Sequence, residues 1–272
     1  MRKLEFVVSQ KDHQSRIDDF AYRYHITKKA LKYIKMQGDI LVDGVHKTVR
    51  YLLQVGEVVT FCFPKEDNQI PPENIPLKIV YEDDVLLVID KPSGIPCIPT
   101  RAHPHHTLAN ALSYYYQQIH LSSTVHIVNR LDKETSGLML VAKYSDIHQQ
   151  LCHDISHIYR VYRCHVQGHT DKHGTIELPI YKDGCQMKRI IDSRGQKAIT
   201  HYRTLAQDEK SSYIECRLET GRTHQIRVHM SAIGHSLIGD TLYGEDGFFD
   251  LDSYKICFQH PITKHIIYIK KY

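Results

Sequence analysis

The sequence predicts an α+β protein in two parts: a small helix-helix-hairpin unit, then a large domain on a mixed, mainly antiparallel sheet flanked by helices. Three observations predict it. Four of the ten prolines fall between Pro64 and Pro76 beside Lys65, Glu66, Asp67 and Asn68, with no periodic apolar pattern. That stretch, 64–76, reads as a linker between a domain at 1–63 and another at 77–272. Ahead of it apolar residues recur at helical spacing. Behind it short strand-like runs outnumber helical ones and lie close enough in sequence to pair antiparallel, which disfavours a doubly wound nucleotide fold.

In the first part, Ile17, Phe20, Ala21 and Tyr24 repeat as one face of a short helix. Thr27 is placed to cap a second helix running to about Gln37, with Gly38 expected as its left-handed stop. Ala30, Leu31 and Ile34 share one face of that helix, Lys28, Lys32 and Lys35 another, with Lys29 beside them. No acidic residue occurs from Ala21 to Gly38. Such a row suits either a solvated face or a nucleic-acid backbone. Ile40-Leu41-Val42, the Asp43-Gly44 turn and Val58-Val59-Thr60-Phe61 complete a hairpin unit.

In the second part, Leu77 to Tyr81 and Val85 to Asp90 form a predicted hairpin that ends in Lys91-Pro92-Ser93-Gly94. Thr107 caps a helix through Gln117, and Ser145 another through about Ser156. Further strands are expected at 125–131, 138–142, 161–166, 199–204, 213–218 and 266–269. Neither an internal repeat nor a low-complexity tract is present.

Composition narrows the setting. Thirty-five Lys and Arg against 31 Asp and Glu give a net charge of +4, compatible with an RNA-binding enzyme without requiring one. The seven cysteines, at 62, 97, 152, 164, 185, 216 and 257, form no Cys-x-x-Cys pair and no secretory leader precedes them, so reduced thiols in the cytoplasm are expected. No apolar run approaches the roughly 20 residues a membrane span needs. Among 20 histidines the tightest groups are His103, His105 and His106, and His148, His153 and His157. Neither has metal-ligand spacing, so no metal is expected.

Three segments can carry chemistry. Residues 130–137 read Arg-Leu-Asp-Lys-Glu-Thr-Ser-Gly. Asp132 sits in a polar turn with donors around it, the environment of a nucleophilic carboxylate, yet equally of a turn-capping Asp paired with Arg130. Residues 220–230 bring Arg222, His224, Gln225, Arg227 and His229 without an acid, a pattern for a carboxylate or phosphate and readable as strand or helix. In 160–166 alternation puts Tyr162 with Arg160, Cys164 and Val166 on one face, as a core tyrosine would lie.

In this order the segments resemble the RluA family of pseudouridine synthases. The nucleophile signature His-Arg-Leu-Asp-x-x-Thr-Ser-Gly is met by Asn129-Arg130-Leu131-Asp132-Lys133-Glu134-Thr135-Ser136-Gly137. Downstream blocks are Thr220 to His229, Gly234-His235-Ser236-Leu237-Ile238-Gly239-Asp240 and Tyr243-Gly244. Val88 to Gly94 and Gly195-Gln196-Lys197-Ala198 match upstream and middle blocks. Two positions depart from the pattern: Asn129 stands for the usual His, and Ser236 for the usual Pro. Residues 15–63 resemble the RNA-binding module named after ribosomal protein S-four, through Ser15-Arg16-Ile17-Asp18 and Gly38 to Gly44.

The resemblance implies that Asp132 attacks a target uridine, Tyr162 is the general base and Arg227 pairs with Asp132, with no cofactor. It implies RNA as partner, ribosomal RNA favoured and transfer RNA possible, held by Arg130, Lys28, Lys29, Lys32, Lys35, Arg222, His224 and Gln225. A cytoplasmic monomer without membrane attachment is the matching expectation. The competing readings are an RNA-binding or ribosome-assembly factor of the same fold without catalysis, and a phosphate-binding metabolic enzyme using Arg222 and Arg227.

Overall fold

The computed structural model describes every residue except Met1, Asp154, Cys185, Gln186 and Tyr272, so Cys185 lies outside the described residues. The chain divides into two compact units, residues 1–69 with 116–124, and residues 70–115 with 125–272. The division falls inside the proline-rich stretch. Its second half is tied to the larger unit: the Asn110 side chain donates to the Pro71 carbonyl and the Ser113 hydroxyl to that of Ile70.

The first unit contains β1 (Lys3–Val7), α1 (Ile17–Arg23), α2 (Lys28–Gln37), β2 (Asp39–Val42), β3 (Val45–His46) and β4 (Val58–Cys62). Its antiparallel sheet has the order β1-β4-β2-β3. Ile17, Phe20 and Ala21 of α1 and Ala30, Leu31 and Ile34 of α2 pack with Ile40, Val42, Val59 and Phe61 into one core. Thr27 Oγ1 accepts the Ala30 N–H at 3.1 Å, the expected cap. Gly38 corrects the expectation, because its φ of −110° is not left-handed. A side chain there would run into the Cys62 carbonyl oxygen, so close backbone approach, not positive φ, demands glycine. Asp43 and Gly44 have φ of 48° and 78°, the two positive values of a hairpin turn. Strand β1 lies ahead of the expected unit.

The larger unit contains β5 (Ile79–Glu82), β6 (Leu86–Lys91), α3 (Leu108–Gln118, whose end belongs to the first unit), β7 (His126–Ile127), β8 (Ser136–Ala142), α4 (Ser145–His153), β9 (Tyr159–Gln167), β10 (His173–Glu177), β11 (Ile180–Lys182), β12 (Arg189–Ile191), β13 (Ile199–Gln207), β14 (Ser211–Leu218), α5 (Gln225–Ala232), β15 (Asp252–Gln259) and β16 (Ile266–Lys270). The main sheet runs β10-β13-β14-β9-β15-β8-β6-β5, with β16 beside β15 and β7 beside β8. All its pairs are antiparallel except β15 with β8. The sheet is therefore mixed and mainly antiparallel.

Three expectations change here. The strand expected at 125–131 shrinks to β7, since Asn129 turns its side-chain oxygen inward to accept the Leu140 N–H at 2.7 Å. Helix α4 stops at His153, and Ile155–His157 is a separate 3-10 turn. The segment open to strand or helix is helical from Gln225, with Gln225 to Met230 all buried.

Strand β15 was not among the expected strands, yet it lies between β9 and β8 and so sets the distance between the Asp132 turn and Tyr162. Gly137 makes this possible. Its φ is +106°, and any Cβ would strike the Ser253 backbone of β15. The six described cysteines are free. Among the described residues no helix is long and apolar enough to cross a membrane, and no three His, Cys, Asp or Glu gather as metal ligands.

Candidate active site

Asp132 lies in the loop entering β8, and the loop is braced from behind by the block that ends β6. Lys91 is fully buried, and its ammonium donates to the carbonyls of Pro92, Ile95 and Lys133 at 2.8, 2.9 and 3.0 Å. An ammonium has three protons, so all are used, and the charge is solvated by carbonyl dipoles rather than by an acid. Burial pushes its pKa below the usual lysine value. The Ser93 hydroxyl donates to the Glu134 carbonyl at 2.6 Å, the Gly94 N–H to that of Lys133 at 2.9 Å, and the Cys97 thiol to that of Leu131 at 2.9 Å. Four donors thus grip backbone on both sides of Asp132, which leaves its side chain free while fixing its base.

Arg227 comes from the first turn of α5. Its guanidinium fork is occupied by Asp240, with Nε and Nη2 each 2.7 Å from a carboxylate oxygen. Asp132 receives only the remaining edge, Nη1 being 3.8 Å from Oδ2. The expected Arg227–Asp132 pair is therefore a secondary contact, and the bidentate partner is Asp240. Burial works against the charge of Asp240, but the Arg227 bonds outweigh it and hold the carboxyl below the usual aspartate range. The ring faces of Tyr243 and Phe249 flank the guanidinium at 5.2 and 5.3 Å. Arg130 is exposed, and among the described residues it makes no ion pair with Asp132.

Tyr162 projects from the middle of β9 on its buried face, as the alternation implied. Burial, then the Asp132 charge, raises its phenol pKa against the pull of Arg160. His224 stands just before α5 in a left-handed conformation, φ 57° and ψ 21°. Its Nε2 is 4.0 Å from Asp132 Oδ2, and its Nδ1 is 2.9 Å from the Tyr243 hydroxyl. Arg222 donates through Nε to the Lys197 carbonyl at 3.0 Å.

These groups line an open cleft in which Arg130, Asp132, Thr135, Tyr162, Arg222, His224 and Arg227 meet the apolar side chains of Leu131, Leu218, Ile226 and Leu251. The Thr135 hydroxyl is buried on its wall without a partner among the described residues. Gln225 also borders the cleft, yet its amide is committed within the fold. It accepts from the Thr220 hydroxyl and the Arg222 N–H, and donates to the Ile199 carbonyl and Thr200 Oγ1. It therefore anchors α5 to β13. Asn129 does not border the cleft at all. Its side chain is buried, and its oxygen is engaged by the Leu140 N–H.

Lys28, Lys29, Lys32 and Lys35 lie in the other unit, exposed on α2. Asp240 and Tyr243 were missed as site residues, although both stand in quoted motif blocks. No local pattern marks an acid as the partner of an arginine 13 positions earlier.

Comparison with known proteins shows the family. Residues 85–232 match the RNA pseudouridylate synthase family profile. The chain is 41% identical over 260 residues, covering 91% of it and 92% of the relative, to the uncharacterized RNA pseudouridine synthase YjbO of Bacillus subtilis (strain 168). It is 38% identical over 237 residues to the ribosomal large subunit pseudouridine synthase D of Pseudomonas aeruginosa, covering 84% of this chain and 73% of that one. The structure of human RNA pseudouridylate synthase domain containing 1 superposes with a TM-score of 0.59 at 24% identity, over 74% of this chain and 85% of that one, a likeness of fold.

Proposed function

The chain belongs to the RluA family of RNA pseudouridine synthases, and from that premise we propose that Asp132 is the nucleophile that isomerises uridines of large-subunit ribosomal RNA. One observation carries the assignment of Asp132. It is the carboxylate that lines the cleft, and its nearest donors, Arg227 Nη1 and His224 Nε2, approach through Oδ2, so among the described residues Oδ1 makes no hydrogen bond or ion pair. An oriented carboxylate with one oxygen not engaged by the protein is what covalent catalysis requires.

A uridine in folded RNA must leave its stack to reach such a cleft, at a cost of a few kcal/mol offset by pocket contacts. Asp132 then adds to the target nucleotide, the bond from C1′ to N1 breaks, the base turns, and C1′ joins C5. The C5 proton leaves, N1 gains one, and Asp132 is released, so product and substrate are isomers. We assign the removal of the C5 proton to Tyr162, which lines the same cleft as Asp132. Burial keeps the phenol neutral, so it enters as a hydroxyl, and the proton it gives up as it takes the one from C5 is the proton that N1 gains, which leaves the phenol neutral again.

The choice of ribosomal RNA is supported by relatives named as ribosomal large subunit pseudouridine synthases, from Pseudomonas aeruginosa and Zymomonas mobilis. We assign residues 1–63 to an S-four-like RNA-holding module, with the exposed lysines of α2 on the phosphate backbone and Arg130, Arg222 and His224 at the target nucleotide. The free, largely buried thiols suit a cytoplasmic enzyme.

The test is a pseudouridine map of total RNA from cells that carry the gene, lack it, or carry Asp132→Asn. Sites in large-subunit RNA should vanish in both altered strains. Sites surviving in the Asp132→Asn strain would refute the nucleophile assignment, and loss confined to transfer RNA would refute the substrate.

A further inference from the structure

The hydroxyl of Tyr243 has two partners. The Arg189 backbone N–H lies 2.6 Å from it and His224 Nδ1 2.9 Å. A backbone N–H can only donate, so the hydroxyl oxygen accepts from Arg189. Among the described residues the hydroxyl proton then has one acceptor, His224 Nδ1. A neutral imidazole that accepts at Nδ1 carries its proton on Nε2. Nε2 is the atom that faces Asp132 Oδ2 at 4.0 Å, beside Arg227 Nη1 at 3.8 Å.

Two further facts agree. Burial, then the charges of Arg227 and Arg189, keep His224 below the usual histidine range although Asp132 and Asp240 pull the other way. The ring also lies edge-on to the Tyr243 ring at 5.6 Å, from a left-handed backbone that few residues other than Gly, Asn, Asp and His adopt.

We propose that Arg189, Tyr243 and His224 form a relay that fixes His224 as an Nε2–H donor to Asp132, making Tyr243 a positioning residue for the nucleophile. Resting on the assignment of Asp132, the relay also names the attacking atom: with two donors converging on Oδ2, the attack comes from Oδ1. Both donors stand about 1 Å beyond hydrogen-bond length. Entry of the base needs only a small movement to close them.

The relay makes an unusual demand on mutants. A glutamine at 224 would put its amide N–H where Nε2–H is and has no tautomer to be set. Tyr243→Phe keeps the ring against Arg227 but removes the hydroxyl. Activity is read on full-length protein as tritium released from RNA transcripts carrying [5-³H]uridine. In the His224 background Tyr243→Phe should lower kcat about 10-fold with KM nearly unchanged. In the His224→Gln background the same change should cost less than about 2-fold. Equal losses in both backgrounds would show a merely structural tyrosine and overturn the proposal, as would no loss in either. Asp132→Asn runs alongside: if it retains activity, the nucleophile assignment itself fails, whatever Tyr243 does. Nitrogen-15 NMR of the unmutated protein, with His224 assigned by difference against His224→Gln, reads the tautomer without disturbing the fold. A protonated Nε2 and bare Nδ1 are expected, and the reverse overturns the relay.

Discussion

The positive charges of the cleft and those of α2 are the same chemistry used in opposite ways. Arg227 is 10% exposed and shares its fork with Asp240, which is fully buried. Lys28, Lys29, Lys32 and Lys35 are exposed, and among the described residues none of them makes an ion pair. A buried charge is costly unless geometry satisfies it, so Arg227 is held at hydrogen-bond distance by one acid and faces another at 3.8 Å. A surface ammonium keeps its water, pays nothing for burial, and acts through a field that salt screens. The difference teaches where position matters and where only sign does. Moving a cleft charge should change the chemistry. Removing a surface one should change only how tightly RNA is held.

Mutations sharpen that contrast. The largest effect belongs to Asp132→Asn, for which kcat should fall at least about 1,000-fold while the unfolding free energy changes by under about 1 kcal/mol. A residual rate near that of the unchanged enzyme would dissolve the distinction between cleft and surface. Next comes Asp240→Asn, which leaves the Arg227 charge buried and should lower stability by about 3 kcal/mol at pH 7. The sign of its pH dependence follows from the pKa. Asp240 lies below its unfolded value of 3.8, so its contribution is complete above that pH and is lost as pH falls through the folded value. The gap between Asp240→Asn and the unchanged protein in denaturant unfolding should therefore narrow below about pH 4. A gap constant from pH 7 to pH 3 would contradict the pairing.

Smaller changes are expected at the surface. Replacing Lys28, Lys32 and Lys35 together by Ala should weaken RNA binding about 10-fold at low salt and reduce the salt slope of log Kd by about 2 to 3. The kcat at saturating RNA should stay the same, and a fall in kcat would mean these lysines reach the reaction. Smallest of all is Asn129→His, expected to alter kcat by less than about 3-fold because position 129 borders β8 and not the cleft. A gain of about 10-fold or more would show that a titratable ring there serves catalysis.

Much of the fold was legible because its signals are local. The Thr27 cap, the Asp43-Gly44 turn, the hairpin of β5 and β6 and the alternation of β9 each lie within a few residues of what they specify. Gly38 was marked correctly as a helix end for the wrong reason, since the obstacle that demands glycine is Cys62, 24 positions away. β15 went unread because Asp252 and Lys255 interrupt its apolar run, and its burial is created by β8 and β9 on either side.

The sequence by itself determined which groups are present and how they are locally held: a carboxylate on a Gly-terminated turn, a tyrosine on the buried face of a strand, and arginines and histidines around the start of a helix. Only the tertiary structure decided who faces whom. It gave the fork of Arg227 to Asp240, bonded Gln225 within the fold, set Lys91 beneath the Asp132 turn and aimed His224 at Asp132. The reason is that capping and alternation act over a few residues along the chain, whereas charge pairing depends on distances in space. Here those distances are set by the order of strands in the sheet.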